Sequence, residues 1–479
     1  MTPKPAAIII GAGLAGLATA LRLGEGRQYE PVLLEREPEP GGLARSLHLS
    51  GLTTDLGPHR IHTVLPEVRR LIERLTAPGL LRVARTSHIY LRGKFLSYPP
   101  APLEMALHLG PLRMARFMAG FAAGRLSPAP AEETYESLMR RAFGRPLYEF
   151  LLRPYSAKTW KIDPAELHAD TARVRVSAGS LAKMVSRLLR GEREGEETSL
   201  KQFHYVRGGA EALVRHFCDE ARAAGARLEL GRSVAALELD ETGRVRAALG
   251  APAPSGGAPE RHAGELFIST APLPRLLGEL LPERPWLAEA REAAAGLRYL
   301  DMILVFLIVR RGALSRDQWL YFPEPHLIFN RGYEAKNFDP SLGPADRTIL
   351  CLEITLRRGD ALGRESDEAL VKTATRQIAS TGLLAEREVE RGVVYRLPYA
   401  YPLYTLDYAE RLRRALEGLR RIPNLITSGR QGLFNHNNMD HSIYMGLRAA
   451  DLLNSLPAAE AVARWWDDAD HFKTLRIVD

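Results

Sequence analysis

Apolar runs of two different lengths alternate near the start of the chain. Residues 6–10 (A-A-I-I-I) form a short continuous apolar run that ends at a glycine, which predicts a buried strand. Residues 14–23 form a longer apolar run that predicts a helix, and residues 31–34 predict a second strand that ends at Glu35. A strand, a helix and a second strand in this order are typical of a parallel α/β sheet.

Three glycines separate the first strand from the helix, in the sequence G-A-G-L-A-G. Gly11 permits the tight turn, Gly13 lets the backbone approach a pyrophosphate, and Gly16 lets the helix pack closely on the strand. The start of the helix, at Leu14 and Ala15, offers unpaired N–H groups and a partial positive charge to phosphates. Together with the flanking elements, this spacing favours a dinucleotide site over a glycine-rich turn without a ligand.

The end of the second strand supplies the acidic residue that such a site needs. Glu35 follows Gly11 by 24 residues, where a carboxylate accepts hydrogen bonds from a ribose. The next residues are R-E-P-E-P-G-G-L-A-R-S, and here the sequence resembles the FAD-binding superfamily of amine oxidases, protoporphyrinogen oxidases, phytoene desaturases and UDP-galactopyranose mutases. In those families the glycine pair, here Gly41 and Gly42, and the following Arg45 lie along the FAD. The resemblance therefore implies FAD as the cofactor.

The resemblance extends over about residues 6–455 and is closest to the UDP-galactopyranose mutase-like oxidoreductases. The order and spacing of its segments are more specific than any single motif. The segments are D-L-G-P-H-R-I-H-T at 55–63, R-G-K-F-L-S-Y-P at 92–99, G-R-P-L-Y-E-F-L-L-R-P-Y-S-A-K-T-W at 144–160, V-R-G-G-A-E-A-L-V at 206–214, F-I-S-T-A-P-L at 267–273, F-N-R-G-Y-E-A-K-N-F-D-P at 329–340, Y-A-Y-P-L-Y at 399–404 and S-G-R-Q-G-L-F-N-H-N-N-M-D-H-S-I-Y-M-G-L at 428–447.

The resemblance implies cofactor contacts at both ends of the chain. Gly429 and Arg430 precede a predicted helix over 439–453, whose N-terminus would present N–H groups to the pyrimidine edge of the flavin. The residues expected to bind FAD are Gly11, Gly13, Leu14, Ala15, Gly16, Glu35, Arg36, Gly41, Gly42, Leu43, Arg45, Gly57, Pro58, His59, Val234, Thr270, Gly429, Arg430, Met439, Asp440 and Ser442.

The fold class that follows is α/β. It comprises a Rossmann-like FAD-binding domain, built from separated segments, and an inserted substrate domain of mixed α+β structure. We assign 1–75, 200–275 and 420–460 to the FAD-binding domain, 76–199 and 276–419 to the substrate domain, and 461–479 to a C-terminal tail. The strand-like runs that agree with the second FAD-binding segment are 227–230, 234–239, 245–248 and 266–269.

The stretch over 103–125 has helical periodicity and is both basic and amphipathic. A buried helix face is the interpretation that we favour. The alternative is a peripheral contact with a membrane, which related porphyrinogen oxidases make with such a region. The apolar residues concerned are Met105, Leu107, Leu109, Met114, Phe117, Met118 and Phe121.

Two histidines three residues apart, His59 and His62, lie in the segment 55–63. A metal site would need further ligands at helical or hairpin spacing, and the sequence offers no such cluster, so we expect no metal. The resemblance matches His62 to a mobile histidine near the flavin ring of the mutases, where it would tune the flavin or relay a proton. The alternative is a loop histidine that only packs or bonds to the backbone.

Two arginines and two aromatic residues match substrate positions of the mutase-like groups. Arg175 and Arg331 match positions that approach the substrate's phosphates, and a guanidinium fork suits a diphosphate better than an ammonium group does. Tyr401 matches a phenol that binds the same group, and Trp160 matches an aromatic residue that lines the sugar site. The resemblance thus implies a small anionic substrate, with salt bridges and core packing as the alternatives for these side chains.

The sequence departs from the true mutases near its end. His436 stands where they carry a tyrosine, and Asn438 stands where they carry an acid. We therefore expect an FAD-dependent oxidoreductase that transfers a hydride between its substrate and flavin N5, with His436 among its catalytic residues. One alternative is a redox-neutral mutase-type isomerase of a nucleotide-linked sugar, with reduced flavin as the nucleophile. Another is a non-catalytic FAD-containing binding protein.

The composition of the chain indicates which classes of binding partner to expect. The 479-residue chain has a formal charge of +8, but its basic residues are dispersed rather than gathered in a tail, so we expect no nucleic acid partner. Cys218 and Cys351 are too few for a disulfide framework and suit a reducing cytoplasm, where we expect the protein. The sequence leaves the oligomeric state open.

Overall fold

The computed structural model describes residues 4–128, 132–175, 202–251 and 259–475. The strands in this part of the chain are β1 (Ala6–Ile10), β2 (Glu30–Glu35), β3 (Ser46–Leu49), β4 (Leu52–Asp55), β5 (Leu80–Ala84), β6 (Ser87–Leu91), β7 (Lys94–Ser97), β8 (Gln202–Val206), β9 (Arg227–Leu230), β10 (Val234–Leu239), β11 (Val245–Gly250), β12 (Arg261–Ala263), β13 (Leu266–Ser269), β14 (Leu280–Leu281), β15 (Arg298–Val309), β16 (Trp319–Tyr321), β17 (Arg331–Glu334), β18 (Thr348–Arg357), β19 (Val389–Leu403) and β20 (Leu425–Thr427).

Helices connect these strands and form one layer of their own, between β7 and β8. They are α1 (Leu14–Gly26), α2 (Pro66–Thr76), α3 (Pro102–Leu109), α4 (Pro111–Leu126), α5 (Tyr135–Phe143), α6 (Arg145–Leu147), α7 (Arg153–Trp160), α8 (Asp170–Arg175), α9 (Ala210–Ala223), α10 (Leu273–Glu279), α11 (Pro285–Ala295), α12 (Asp367–Ser380), α13 (Tyr408–Arg420), α14 (Gly429–Gly432), α15 (Met439–Ser455) and α16 (Ala458–Phe472).

The glycine motif lies in a five-stranded, all-parallel sheet with the strand order β20-β13-β1-β2-β9. Consecutive residues Ala7, Ile8 and Ile9 of the central strand are buried, so both faces of the sheet are covered, as the continuous apolar run of β1 requires. The α/β Rossmann-like architecture is therefore present. All five strands fall within 1–75, 200–275 and 420–460, the segments expected to form the FAD-binding domain.

The hydrophobic core of this sheet also includes elements outside those segments. Helices α11 and α13 pack against each other and contribute Leu287 and Leu412 to the core. Residues from 461 onwards were expected to form a tail, but helix α16 extends to Phe472 and buries Trp465 in the same core. The apolar residues of α16 recur at helical spacing, which gives the helix one face that docks on the sheet.

A seven-stranded sheet with the order β19-β15-β18-β17-β16-β6-β7 forms the second layer. Along β18, alternate residues point to opposite faces, so that Cys351 and Glu353 lie on one face while Leu352 and Ile354 lie on the other. Helix α12 covers the Leu352 face. The Glu353 face turns toward the parallel sheet, since Tyr333 on that face donates a hydrogen bond to the backbone oxygen of Asp55 at the end of β4.

The helical layer differs from the expectation of one buried helix over 103–125. The chain breaks at Gly110, whose φ is +87°, and Pro111 then begins a second helix, because proline fits the first turn of a helix but not its interior. Met105 and Phe117 are buried, whereas Leu107 is 81% exposed. The expected buried face is thus wrong for part of its length. Among the helices of the described residues, none is long and apolar enough to cross a membrane.

Candidate active site

A cavity of about 1220 Å³ lies between the carboxyl ends of the parallel strands and the inner face of the seven-stranded sheet. Ile10 and Glu35, the last residues of β1 and β2, line it together with Thr270, which follows β13. The carboxyl ends of parallel strands are where open α/β sheets bind ligands. We call the part lined by Gly11, Gly13 and Glu35 the nucleotide end, and the part lined by Arg331, Glu353 and Tyr401 the substrate end.

The glycine turn at the nucleotide end has the shape that its sequence predicts. Gly11 has a φ of +102°, and a Cβ there would lie 2.3 Å from Oγ1 of Thr270. A Cβ on Gly16 would lie 2.0 Å from the backbone oxygen of Gly11, so the helix could not pack at this distance with any other residue. A Cβ on Gly13, in contrast, would meet no protein atom within 4 Å. The space beside Gly13 belongs to the cavity, which suits a pyrophosphate.

Glu35 holds the turn in place as well as lining the cavity. Its Oε2 accepts a hydrogen bond of 2.7 Å from the backbone N–H of Ala12, and its Oε1 accepts one of 3.0 Å from Glu37. Each carboxylate oxygen can accept a second hydrogen bond. The carboxylate therefore fixes the loop and keeps acceptor capacity for a ribose hydroxyl.

The second glycine pair continues the nucleotide end. Gly41 and Gly42 have φ values of +115° and +58°, and the backbone N–H of Gly41 donates to the oxygen of Ala12 at 2.8 Å. Nε of Arg45 donates to the oxygen of Gly42 at 3.2 Å, and Nη2 donates to the hydroxyl of Tyr395 on β19. Arg45 thus joins the nucleotide loop to the seven-stranded sheet, a role that the sequence motif did not indicate.

The C-terminal motif closes the cavity beside the start of α15. Met439 and Ser442, in its first turn, line the cavity, and Arg430 donates hydrogen bonds to the backbone oxygens of Ala400 and Asn437. These bonds hold the loop before α15 against β19. Of the residues expected to bind FAD, all line the cavity except Gly16, which packs behind the turn, and Asp440.

The histidine expected beside the flavin is not on the cavity wall. His59 lines the cavity, but His62 does not, and burial together with the nearby Arg60 lowers the pKa of His62. Nδ1 of His59 lies 3.7 Å from Oδ2 of Asp55. His59 is therefore the better placed of the two histidines, and the spacing of the motif alone could not distinguish them.

Asp55 is an organising residue that the sequence analysis missed. It is 2% exposed and accepts hydrogen bonds from Ser46 Oγ (2.6 Å), the Tyr205 hydroxyl (2.7 Å) and the backbone N–H of Ala210 (3.0 Å). These contacts join β4 to β8 and to the start of α9. The D-L-G-P motif contained this residue, but its partners come from distant parts of the chain.

Arg331 and Glu353 face each other across β17 and β18 at the substrate end. Nε and Nη2 of Arg331 lie 2.8 and 2.6 Å from Oε2 of Glu353, which is 1% exposed. Nη2 also lies 3.3 Å from the hydroxyl of Tyr401. The buried carboxylate holds the pKa of Arg331 well above its usual value, against the effect of its burial. Glu353 is a further residue that sequence analysis missed.

Aromatic rings stack behind this ion pair. The rings of Tyr401 and His436 are 5.2 Å apart and nearly parallel, and both residues line the cavity. Trp160 lies 5.8 Å from His436 but does not line the cavity, so it supports the site from the core instead of lining a sugar site. Arg175 ends helix α8, and its side chain lies outside the described part of the structure.

An apolar chamber extends the cavity from its substrate end beneath α3–α7. The residues of α3 and α4 that line this chamber were expected to form a core helix face. Helical periodicity does not distinguish a face that packs in the core from one that lines a cavity. The chamber is lined by Tyr98, Pro99, Pro100, Pro102, Met105, Met114, Phe117, Met118, Phe121, Tyr135, Met139, Phe143, Leu147, Leu151, Leu152 and Tyr155.

Three potential metal ligands lie close together, away from the cavity wall. Within the described ranges, the ligand atoms of Glu229, Glu260 and His262 all lie within 4.8 Å of one another. None of these residues lines the cavity. A ring nitrogen of His262 lies 3.8 Å from a carboxylate oxygen of each glutamate.

The sequence profile of one family matches most of the chain. Residues 14–454 match the profile of the flavin-containing amine oxidoreductases. The chain belongs to this family. A flavin is therefore its cofactor, and the cradle beside Gly13 fits the pyrophosphate of FAD.

Curated relatives match over shorter stretches. The chain is 27% identical over 264 residues to a phytoene dehydrogenase of Streptomyces griseus, which covers 49% of this chain and 50% of that protein. It is 25% identical over 169 residues to protoporphyrinogen oxidase 2 of Arabidopsis thaliana, which covers 33% of each chain. The chain thus spans half or less of the length of these relatives.

Solved structures share the whole fold at low sequence identity. A reduced UDP-galactopyranose mutase superimposes with a TM-score of 0.81 at 21% identity and covers 98% of both chains. A candidate protoporphyrinogen oxidase from Exiguobacterium sp. 255-15 superimposes with a TM-score of 0.70 at 18% identity, over 95% of this chain and 99% of that one. At these identities the likeness establishes the architecture alone.

Proposed function

We propose that this oxidoreductase dehydrogenates an organic substrate with an extended apolar part, by hydride transfer between the substrate and flavin N5. The observation that carries the proposal is the apolar chamber, which continues from the substrate end of the cavity and whose lining is mainly Met, Phe, Leu, Pro and Tyr. Burying an apolar chain stabilises a complex by about 0.8 kcal/mol per methylene group. A long chain would therefore supply much of the binding energy.

The nucleotide end would hold FAD. The N–H groups at the start of α1 and the open space beside Gly13 suit the pyrophosphate, and Glu35 suits the ribose. When bound, FAD supplies the hydride acceptor at N5. Tyr401, His436 and Arg331 would orient the polar end of the substrate, while the apolar chamber excludes water from the reacting carbon. Arg175 and Arg331 predict an anionic group on the substrate. At Arg331, that group would contact a guanidinium whose charge Glu353 already balances.

The outer side of α3 and α4 supports a peripheral contact with a membrane. Leu103, Leu107, Leu112 and Leu126 are 71%, 81%, 85% and 87% exposed, and Arg116 is exposed between them on α4. Exposed leucines beside basic residues are typical of surfaces that bind anionic bilayers. Both cysteines are buried thiols, which supports the reducing cytoplasm as the location.

Vesicle sedimentation tests this contact. The protein should sediment with vesicles of phosphatidylcholine and phosphatidylglycerol, and the double variant Leu107→Glu/Leu112→Glu should remain in the supernatant. Leu281→Glu is the matched control, since Leu281 is also exposed but lies outside α3 and α4. Equal sedimentation of the two variants would contradict the proposed contact of α3 and α4 with a membrane.

Anaerobic mixing tests the proposed reaction. The FAD-loaded protein is mixed with pairs of alcohols and amines that share a polar group but differ in the presence of a long alkyl or isoprenoid chain. Flavin absorbance should bleach with the long-chain member of a pair and at least tenfold more slowly with the truncated member, because the chamber contributes binding energy only to the former. Equal rates for both members would contradict the proposed role of the chamber.

A mutase-type isomerisation of a nucleotide-linked sugar is the second candidate. The proximity of Arg331, Tyr401 and His436 favours it, because the resemblance connects two of these positions with a sugar nucleotide. Dithionite-reduced protein would then interconvert the ring forms of UDP-galactopyranose without net electron transfer. We expect no interconversion, since His436 and Asn438 replace the tyrosine and the acid of the mutases.

A further inference from the structure

The charge of Arg331 is balanced within the sheet itself. Arg331 of β17 and Glu353 of β18 are register partners, so the pairing follows from the backbone and needs no loop to adjust. Two guanidinium nitrogens of Arg331 contact one oxygen of Glu353, at 2.8 and 2.6 Å. The side chain of Arg331 is 20% exposed, and that of Glu353 is 1% exposed. Both residues line the cavity, and the arginine is the more exposed of the two.

The remaining donors of Arg331 are on Nη1. Nε and Nη2 are used by Glu353 and by the hydroxyl of Tyr401, whereas Nη1 makes no hydrogen bond among the described residues. A planar guanidinium fixed along one edge presents its other edge in a set direction. The substrate end thus offers N–H donors, while the ion pair to which they belong has no net charge.

We propose that Glu353 determines specificity at the substrate end: by cancelling the charge of Arg331, it selects an uncharged acceptor, such as a carbonyl or hydroxyl oxygen, and disfavours a diphosphate or carboxylate. This inference rests on the proposed function, because it describes the polar end of the same substrate. Glu353 acts through Arg331 and is a positioning residue. An anion at the guanidinium would be repelled by the carboxylate beside it, and that repulsion is strong in a site that excludes water.

The test measures anion binding and needs no turnover. UDP is titrated into the FAD-loaded wild-type protein and the Glu353→Gln variant by calorimetry, with the flavin spectrum as a second signal. The variant should bind UDP at least tenfold more tightly, because a unit charge within about 7 Å changes the affinity for an anion by more than that at an effective dielectric constant of ~20. A smaller increase would overturn the proposal.

The matched control is Glu334→Gln. Glu334 is another buried carboxylate of the same sheet, next to this ion pair in the sequence, but it does not line the cavity and its Oε2 accepts a hydrogen bond from the backbone of Leu314. The titrations are run at about pH 8.5, above the pKa of about 7 to which burial raises the Glu334 carboxyl, so that Glu334→Gln also removes a charge. This change should leave the affinity for UDP unchanged. An equal gain in both variants would show a general effect of charge and would overturn the specific role of Glu353.

A second variant decides the matter if Glu353→Gln does not fold, since an unpaired buried arginine is costly. The double variant Arg331→Gln/Glu353→Gln removes both charges together. If the pair is electrostatically balanced, wild-type protein and this double variant should bind UDP within threefold of each other, and a larger loss in the variant would overturn the proposal. Failure of the long-chain substrates to bleach the flavin would count against the proposed function. It would not affect the conclusion from the UDP titrations about Glu353.

Discussion

The two ends of the cavity are built in different ways. The nucleotide end comes mainly from one turn, in which Gly11, Gly13 and Ala15 are near neighbours in the sequence and Glu35 returns to bind the same loop. The substrate end takes single side chains from β17, β18 and β19 and from the loop before α15, which are far apart in the sequence. The first depends on the shape of the backbone, whereas the second depends on the balance of charges and on apolar lining.

This difference determines what a substitution does. A side chain added at the nucleotide end fills space that the cofactor needs, so binding of the cofactor is lost altogether. A side chain changed at the substrate end alters which molecule fits while FAD remains bound. The two ends should therefore be separable by mutation.

Gly13→Val should abolish FAD binding, because its branched side chain would occupy the space beside the turn where no protein atom lies within 4 Å. Protein-bound flavin absorbance after gel filtration measures the loss. Gly278→Val is the matched control: a Cβ at Gly278 also meets nothing within 4 Å, but this residue is exposed on α10 and does not line the cavity. Full FAD occupancy in Gly13→Val would contradict the assignment of the nucleotide end.

Asp55→Asn should lower the free energy of unfolding by about 3 kcal/mol. The carboxylate accepts from three donors, and an amide group would turn an N–H donor toward one of them. Urea denaturation of the FAD-loaded protein measures the change. Asp163→Asn should cost less than about 1 kcal/mol, because Asp163 is exposed and asparagine also caps the short 3-10 turn over Pro164–Glu166. Equal costs for the two variants would show that Asp55 does not organise the junction of β4, β8 and α9.

Glu334 makes the stability of the seven-stranded sheet depend on pH. Burial raises the pKa of Glu334 from 4.5 to about 7, so the folded protein keeps this proton over a range in which the unfolded chain has lost it. The contribution to stability is full below pH 4.5 and is lost as the pH rises through about 7, a change of about 2–3 kcal/mol.

Urea denaturation between pH 5 and pH 7.5 tests this effect in wild-type protein and in Glu334→Gln, which cannot titrate. The wild-type protein should lose stability relative to the variant as the pH rises. A constant difference across the range would show that Glu334 does not retain its proton. Because Glu334 does not line the cavity, FAD content should be the same in both proteins.

Met118→Glu should weaken the binding of long-chain molecules by about tenfold and leave FAD bound, because a charged group in the chamber must be desolvated when the chain enters. Met118 lines the chamber and is 42% exposed, so the variant should fold. Displacement of a fluorescent long-chain alcohol gives the affinity. Leu126→Glu, on the same helix but outside the chamber, should bind the probe normally. An equal loss of affinity in both variants would show that the probe binds on the outer surface of α4.

The sequence predicted the nucleotide end well because its elements are local. The strand over Ala6–Ile10 was predicted at its observed bounds, and the helix that begins at Leu14 was predicted with the correct start. Continuous apolar runs and glycines at fixed offsets carry this information within a few neighbouring residues. Gly11, Gly13 and Glu35 line the cavity for the same reason, whereas distant contacts such as Thr270 and Gly429 were predicted by resemblance.

The substrate end could not be derived in this way. The pairing of Arg331 with Glu353 depends on the register of β17 and β18, which neither strand specifies by itself. The apolar residues of α3 and α4 were assigned to a core face, since their spacing does not reveal whether a protein core, a cavity or solvent lies opposite. Both His59 and His62 were expected near the flavin by resemblance, and only the path of the loop shows that His59 lines the cavity while His62 does not.

An electron count in a sealed cuvette distinguishes hydride transfer from isomerisation. Substrate consumed and flavin reduced are measured together under nitrogen, with a long-chain substrate and no electron acceptor. We expect one flavin to be reduced for each substrate molecule converted, and no further conversion until an acceptor is added. Many turnovers with an unchanged flavin spectrum, or conversion of UDP-galactopyranose by the reduced protein without net electron transfer, would contradict this expectation and favour the mutase reaction.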